Sequence, residues 1–78
     1  MFQELDLVVL TRDLAEYRLQ KGDIGTLVHL YASGGACEVE FVNARGDTVA
    51  LLTLEAKDIR PLQGLEILHA RELAQAMT

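Results

Sequence analysis

The chain lacks tryptophan and has one cysteine, one proline and few basic residues, and each shortage excludes a class of protein. Cys37 has no second cysteine to pair with, so an intramolecular disulfide is excluded. Two histidines with no close-spaced ligand pair argue against a structural zinc site. Seven Lys and Arg residues against twelve Asp and Glu give a net charge of −5, whereas a protein that binds nucleic acid through phosphates needs a positive surface.

Targeting signals are also missing. The first residues lack the basic and long apolar regions of a signal peptide, and no apolar run approaches the roughly 20 residues needed to cross a bilayer. We therefore expect a cytoplasmic protein with no membrane partner.

Half of the 78 residues are apolar, which is a high share for a single small domain. A chain of this length buries only about 60% of the surface that its unfolded form exposes. Disulfides, metals or a partner chain usually compensate for such a small core. With the first two disfavoured, we expect association with another chain, as a homodimer.

A glycine-punctuated turn at residues 21–25 leads directly into a β-rich run. Gly22 and Gly25 allow backbone geometry that a side chain would obstruct, and such positions favour strong local curvature. The segment follows a first apolar run and a long polar connection. Together they predict a small, strongly curved β-barrel.

Alternating apolar residues and glycine-rich turns predict five strands. The third has the clearest period of two, with Cys37, Val39 and Phe41 on one face and Glu38 and Glu40 on the other. A single helical turn is expected at residues 55–58, before a last strand that Pro61 confines to a sheet edge. The predicted strands cover residues 5–10, 24–31, 36–42, 48–54 and 59–62.

From residue 66 the apolar spacing changes to that of a helix, which predicts a short amphipathic C-terminal α-helix. The expected organisation is a barrel over residues 1–62 and a helical extension over residues 63–78. The fourth strand is apolar on both faces, so one face needs a cover outside the barrel. Either the tail covers it within one chain, or the same residues of two chains form a symmetric dimer. This predicted outer strip comprises Ala50, Leu52, Leu54, Leu65, Ile67, Leu68, Leu73 and Met77.

Four segments, at residues 5–11, 21–31, 31–42 and 50–62, resemble a family of small bacterial proteins known as domain of unknown function 4926. Residues 5–10 and 21–28 are also similar to the KOW motif of some ribosomal and transcription proteins. The resemblance implies a mostly β fold, a five-stranded SH3-like barrel, over the first 62 residues. It implies no catalytic residues, and KOW-like modules are usually basic, which this chain is not.

Residue types that carry chemistry are sparse. Cys37 with His29 would suit nucleophilic catalysis, and Glu38 with Glu40 would suit acid–base work or a cation. We interpret Cys37 as an inert core residue, the carboxylates as a solvated strand face and neither histidine as a ligand. No catalytic, metal or cofactor residue is predicted.

Tyr17 and Tyr31, with Leu14 and Leu19, are predicted either to line a protein-contact groove under the long loop or to plug the end of the barrel. We therefore expect a non-catalytic module that binds a protein, in the manner of an antitoxin in a bacterial gene pair. The alternative is a nucleic-acid-binding accessory domain that uses residues 21–25. The predicted interaction residues are Tyr17, Tyr31, Leu52, Leu54, Leu68, Leu73 and Met77.

Overall fold

The structure, a computed structural model, describes residues 2–32 and 34–73. The chain is mostly β, with one 3₁₀-helix in the connection after β1 and a second immediately before β5. The strands lie within one or two residues of the predicted bounds. They are β1 (Leu7–Leu10), β2 (Ile24–Leu30), β3 (Ala36–Val42), β4 (Thr48–Glu55) and β5 (Ile59–Pro61), and the 3₁₀-helices are Ala15–Tyr17 and Ala56–Asp58.

All five strands are antiparallel and form one open sheet in the order β4-β3-β2-β1-β5. The sheet edges are therefore β4 and β5. The register aligns Leu27 of β2 with Val39 of β3 and Leu52 of β4, so these three apolar side chains share the inner face.

The core lies on that inner face. Leu10, Leu27, Val8 and Val39 are its largest fully buried side chains. The alternation predicted for β3 is confirmed, since Cys37, Val39 and Phe41 are all buried. The other members of the core are Leu14, Leu19, Leu52, Leu54 and Ile59.

Both glycines of the 21–25 segment occupy positions that a side chain would obstruct, as predicted, but for different reasons. Gly22 has φ +96°, in the left-handed region that favours glycine. A Cβ on Gly25 would lie 2.7 Å from Val39 Cγ1 and 2.8 Å from Phe41 Cε1, so β2 approaches β3 more closely than a side chain permits. A side chain at this position would therefore force β2 and β3 apart.

Two contacts fasten the β5 end of the sheet. The main chain at Leu14 bridges that at Leu19, and both side chains close the end of the core. The buried Asp58 caps the second 3₁₀-helix by accepting the Glu55 N–H at 3.0 Å, and it accepts Arg12 Nε at 2.8 Å. The hydrogen bond from Arg12 holds the pKa of Asp58 below its usual range.

Two expectations need correction. Residues 66–73 form no helix, because side-chain pairs hold this segment in an irregular path along the sheet; the remaining predicted helical residues lie outside the described part. Leu52 and Leu54 face the core instead of the outer strip, because their register partners are the inward-facing Val39 and Cys37.

Candidate protein-interaction surface

The tail, which we define as residues 62–73, begins with a turn that a carboxylate locks. The Glu66 N–H donates to the Gln63 carbonyl at 3.0 Å, and the Gln63 N–H donates to Glu66 Oε1 at 2.7 Å. Arg60 of β5 holds the same carboxylate through two parallel hydrogen bonds, of 2.9 and 2.6 Å. These bonds lower the pKa of Glu66 to about 2, with the Arg60 bond as the largest cause. The tail is therefore fixed at its start.

A second arginine fixes the end of the tail. Arg71 donates from Nε to Asp23 Oδ1 at 2.9 Å and from Nη2 to Oδ2 at 2.5 Å, and it also reaches the Arg18 carbonyl at 3.0 Å. Burial opposes ionisation of Asp23, but Arg71 and the Gln20 N–H offset it, so the pKa of Asp23 lies below its ordinary value. We call the Arg60–Glu66 and Arg71–Asp23 pairs the two clasps.

The tail begins beside Arg60 of β5 and ends beside Asp23, which precedes β2. Val9 pairs with Arg60 on one side and with Ile24 on the other. Ile24 and residues 69–71 line an open groove of about 320 Å³, and Leu73 lies half-buried in its wall. Val9 is only 3% exposed although it lies outside the inner core cluster. The tail thus packs within its own chain, and the groove that its last residues line also includes Phe41 of β3 and Val49 of β4.

Three large apolar side chains are exposed next to Glu66 of the first clasp, one before it and two after it. Leu65 is 102% exposed, Ile67 88% and Leu68 64%. We call these residues the apolar triplet. Three such residues within four positions form an unusual surface, because a soluble chain normally leaves large apolar groups exposed only singly. Their backbone is held by the two clasps, at Glu66 and at Arg71.

A polar network covers the outer face of β2, β3 and β4. Glu38 accepts hydrogen bonds from Tyr31 Oη at 2.6 Å and from Thr53 Oγ1 at 2.5 Å. The Thr53 bond and then the Tyr31 bond lower the pKa of Glu38. His29 packs edge-on against Tyr31, with ring centroids 4.8 Å apart, and its Nδ1 lies 3.4 Å from Glu4.

The catalytic combinations weighed from the sequence do not assemble. Cys37 is buried on the inner face and pairs with Leu30, whereas His29 pairs with Glu38 and is exposed on the outer face. Burial raises the pKa of the Cys37 thiol. Glu40 accepts Thr48 Oγ1 at 2.6 Å. Among residues 2–32 and 34–73, no three His, Cys, Asp or Glu side chains are placed to hold a metal ion.

The predicted interaction residues do not form one surface. Tyr17 lies in the connection that precedes β2, whereas Tyr31 directly follows the last residue of this strand. Leu14 and Leu19 plug the core end, as the simpler of the two interpretations held. Leu68 is exposed and Leu73 half-buried, both in the tail, while Met77 lies outside the described residues.

Most cations are occupied by carboxylates. Arg12, Arg45, Lys57, Arg60 and Arg71 each lie within 4.0 Å of an acidic side chain. In the described part of the chain, no helix has the length and apolarity to span a bilayer.

Comparison with known proteins gives one match. The model of the family Domain of unknown function (DUF4926) matches residues 4–61. The chain belongs to this family. The match ends at the last residue of β5, so the whole tail lies beyond it. Neither the curated proteins nor the solved structures contain a significant match.

Sequence reasoning missed both clasps. Arg71 and Asp23 are separated by 48 residues, and no local pattern joins them. A signal for the first clasp exists in the run from Gln63 to Glu66, where a glycine and a carboxylate three positions after Gln63 suit a turn closed by a side chain. The helical spacing of the apolar residues outweighed it.

Proposed function

We propose that this DUF4926 chain is a non-catalytic module that binds a protein partner through the apolar triplet. The exposure of Leu65, Ile67 and Leu68 on either side of the clasp residue Glu66 carries the proposal. A free tail with the same residues would lose conformational entropy on binding, whereas the clasped backbone has already lost it. The triplet is thus prepared to enter an apolar pocket.

The chemistry of the partner follows from the chain's charge. A net charge of −5 favours a partner whose pocket has a basic rim. The acidic outer face beside Glu38 and Glu40 supports the same conclusion. Such a pairing suits an antitoxin-like member of a bacterial gene pair, which neutralises a basic protein in the cytoplasm by covering it.

We further propose that the strands form an SH3-like barrel. Five short antiparallel strands, the long connection after β1 and the single helical turn before β5 support this fold. The close approach at Gly25 supplies the curvature that such a barrel needs. The Gly22-containing segment supports the KOW-like description of its start.

The test is a photo-crosslinking amino acid at position 68, introduced into the full chain in its native cell. We expect a discrete adduct with a protein, and we expect its loss when Leu65→Ser and Ile67→Ser are added. The matched control carries the crosslinker at Leu7, a leucine that is also exposed, at 47%, but lies on β1. Equal adducts at both positions, or none at position 68, would contradict the proposal.

The competing function is nucleic-acid binding through residues 21–25. Lys21 lies in this loop, but its N–H donates to Asp13 at 2.8 Å and Asp23 is adjacent, so the loop carries acidic groups beside its cation. A gel shift with RNA and DNA at increasing salt separates the two functions. Binding that weakens steeply with ionic strength would favour nucleic acid.

A further inference from the structure

The outer edge of β4 is an open strand edge. β4 is the longest strand, with eight residues, and it pairs with β3 on one side. On its other side it pairs with no strand among residues 2–32 and 34–73. Natural edges are usually protected by proline, by lysine or by short length. β4 contains neither residue type, its single charge is the final Glu55, and its one register shift, at Val49, lies outside the regularly paired stretch of residues 50–55.

Two contacts establish which main-chain groups face that edge. The Tyr31 N–H donates to the Ala36 carbonyl, so Ala36 faces β2 and the next residue, Cys37, faces β4. Its partner Leu54 therefore faces β3, and Thr53 and Leu51 face outward by alternation. Glu55 is two residues after Thr53 and should therefore face the same way. Its N–H points away from β3, toward Asp58, as this alternation requires.

We propose that a second copy of this chain occupies the β4 edge, so that two β4 strands pair antiparallel about a two-fold axis at Leu52. In this register Leu51 lies opposite the partner's Thr53, and each such pair exchanges both of its main-chain hydrogen bonds. The pairing is the same from either chain, as a closed two-fold interface requires.

Charge selects this register over its neighbour. An axis at Leu52 places Glu55 opposite the partner's Val49. An axis at Leu51 keeps the same faces aligned but brings Glu55 to the level of the partner's Asp47, just before β4 and past the register shift at Val49, and like charges brought close together are destabilising. Parallel pairing in register would place the two Glu55 carboxylates side by side.

Side chains support the same arrangement. Leu51 is 57% exposed on the outer face of β4. With the axis at Leu52, the two Leu51 side chains lie on the diagonal of the ladder, about 7–8 Å apart at Cα, within reach of long side chains. The dimer would therefore cover the apolar group that β4 leaves uncovered in the single chain.

This inference deepens the proposed protein-binding function by naming a second copy as one partner. It uses β4 and not the apolar triplet, so the two tests fail independently. The sequence predicted a symmetric dimer through the outer strip. The dimer proposed here uses the main-chain edge of β4 instead, because Leu52 and Leu54 belong to the core.

Sedimentation of the purified full chain at about 100 µM tests the proposal. We expect a dimer, a monomer for Leu51→Lys, and a dimer for the matched control Leu7→Lys. Leu7 is also an exposed leucine, and it lies in the same row of paired residues across the sheet. In this row Leu7 pairs with Thr26, Thr26 with Glu40 and Glu40 with Leu51. Leu7, however, belongs to the interior strand β1. In Leu51→Lys the new ammonium group has Glu40 as its neighbour on β3, which favours folding of the variant.

A second pair of variants removes the edge hydrogen bonds directly. Thr53→Pro deletes an N–H that faces the edge and leaves the β3 ladder intact, so we expect a monomer with an unchanged far-ultraviolet circular dichroism spectrum. Thr53→Val keeps that N–H and loses only the hydroxyl, so we expect a dimer. A wild-type monomer at 100 µM, or a dimer that persists in Leu51→Lys and Thr53→Pro, would overturn the proposal.

Discussion

The two edges of the sheet differ in nearly every respect that governs strand pairing. β5 has three residues, includes Pro61, and commits Arg60 to a clasp with the tail. β4 has eight residues and presents the main chain of Leu51 and Thr53 to solvent. The first edge is thus short and tied to the tail, whereas the second has no partner strand among residues 2–32 and 34–73. The comparison indicates that β4 is the edge with main-chain groups available for pairing.

The largest effect is expected when the hydrogen bonds of Asp58, immediately before β5, are removed. Asp58→Ala removes the cap of the second 3₁₀-helix and the buried acceptor of Arg12. We expect a loss of about 2–3 kcal/mol in the free energy of unfolding, as for buried hydrogen bonds to a charged group. Urea denaturation measures it.

The control for Asp58 is Asp47→Ala. Asp47 pairs with Arg45 at 3.6 Å with both side chains mostly exposed, and such a pair contributes little. An equal loss of unfolding free energy in both variants would contradict a specific contribution of Asp58 to stability.

The next effect concerns the close approach of β2 to β3 at Gly25. Gly25→Ala places a Cβ against Val39 and Phe41, and overpacking of this kind costs about 1–3 kcal/mol. Gly35→Ala is the matched control, because a Cβ there has no atom within 4 Å. Thermal unfolding of the two variants should differ clearly; equal midpoints would contradict the close approach at Gly25.

A smaller effect is expected at the second clasp. Arg71→Ala removes two hydrogen bonds to Asp23 in a partly exposed pair, so we expect about 1 kcal/mol of tail-docking free energy to be lost. Nuclear magnetic resonance shifts of Ile24 and Leu73 report the docking. Arg45→Ala, which removes an exposed cation outside the clasps, should leave these shifts unchanged.

The smallest effect is expected when acid protonates Glu66 and so breaks its pair with Arg60, the first clasp. The pKa of Glu66 is about 2 in the folded chain, against 4.5 for a free glutamate. The clasp is therefore fully present above pH 4.5 and is lost as the pH falls toward 2. Resonances of residues 63–68 should titrate in this window, and Glu66→Gln should abolish the titration. Titration centred near the free-glutamate value would contradict the clasp.

The sequence predicted the strands well because their signals are local. Alternation of apolar and polar residues defined β3. Gly22 marked the turn before β2, and Gly25 marked the close approach of β2 to β3. It misassigned β4, which is apolar on both faces, because the pairing of Leu52 with Val39 decides which face is inner. That pairing is set by register and is not visible in β4 itself.

The tail was mispredicted for a related reason. Ile67, Ala70 and Leu73 have helical spacing, but Glu66 is held by Arg60 and Arg71 by Asp23. Contacts between distant side chains decide the path of the tail, and a periodic pattern does not encode them. The exposure of Leu65, Ile67 and Leu68 could therefore not be located from the sequence. Leu68 stays a predicted interaction residue.

Amide hydrogen exchange along β4 tests the contrast between the edges most directly. We predict that exchange at Leu51 and Thr53 slows as the protein concentration rises from about 1 to 100 µM, while Leu52 and Leu54, whose amides face β3, stay protected throughout. Exchange at Leu51 and Thr53 that is independent of concentration would contradict an open edge that a second copy occupies.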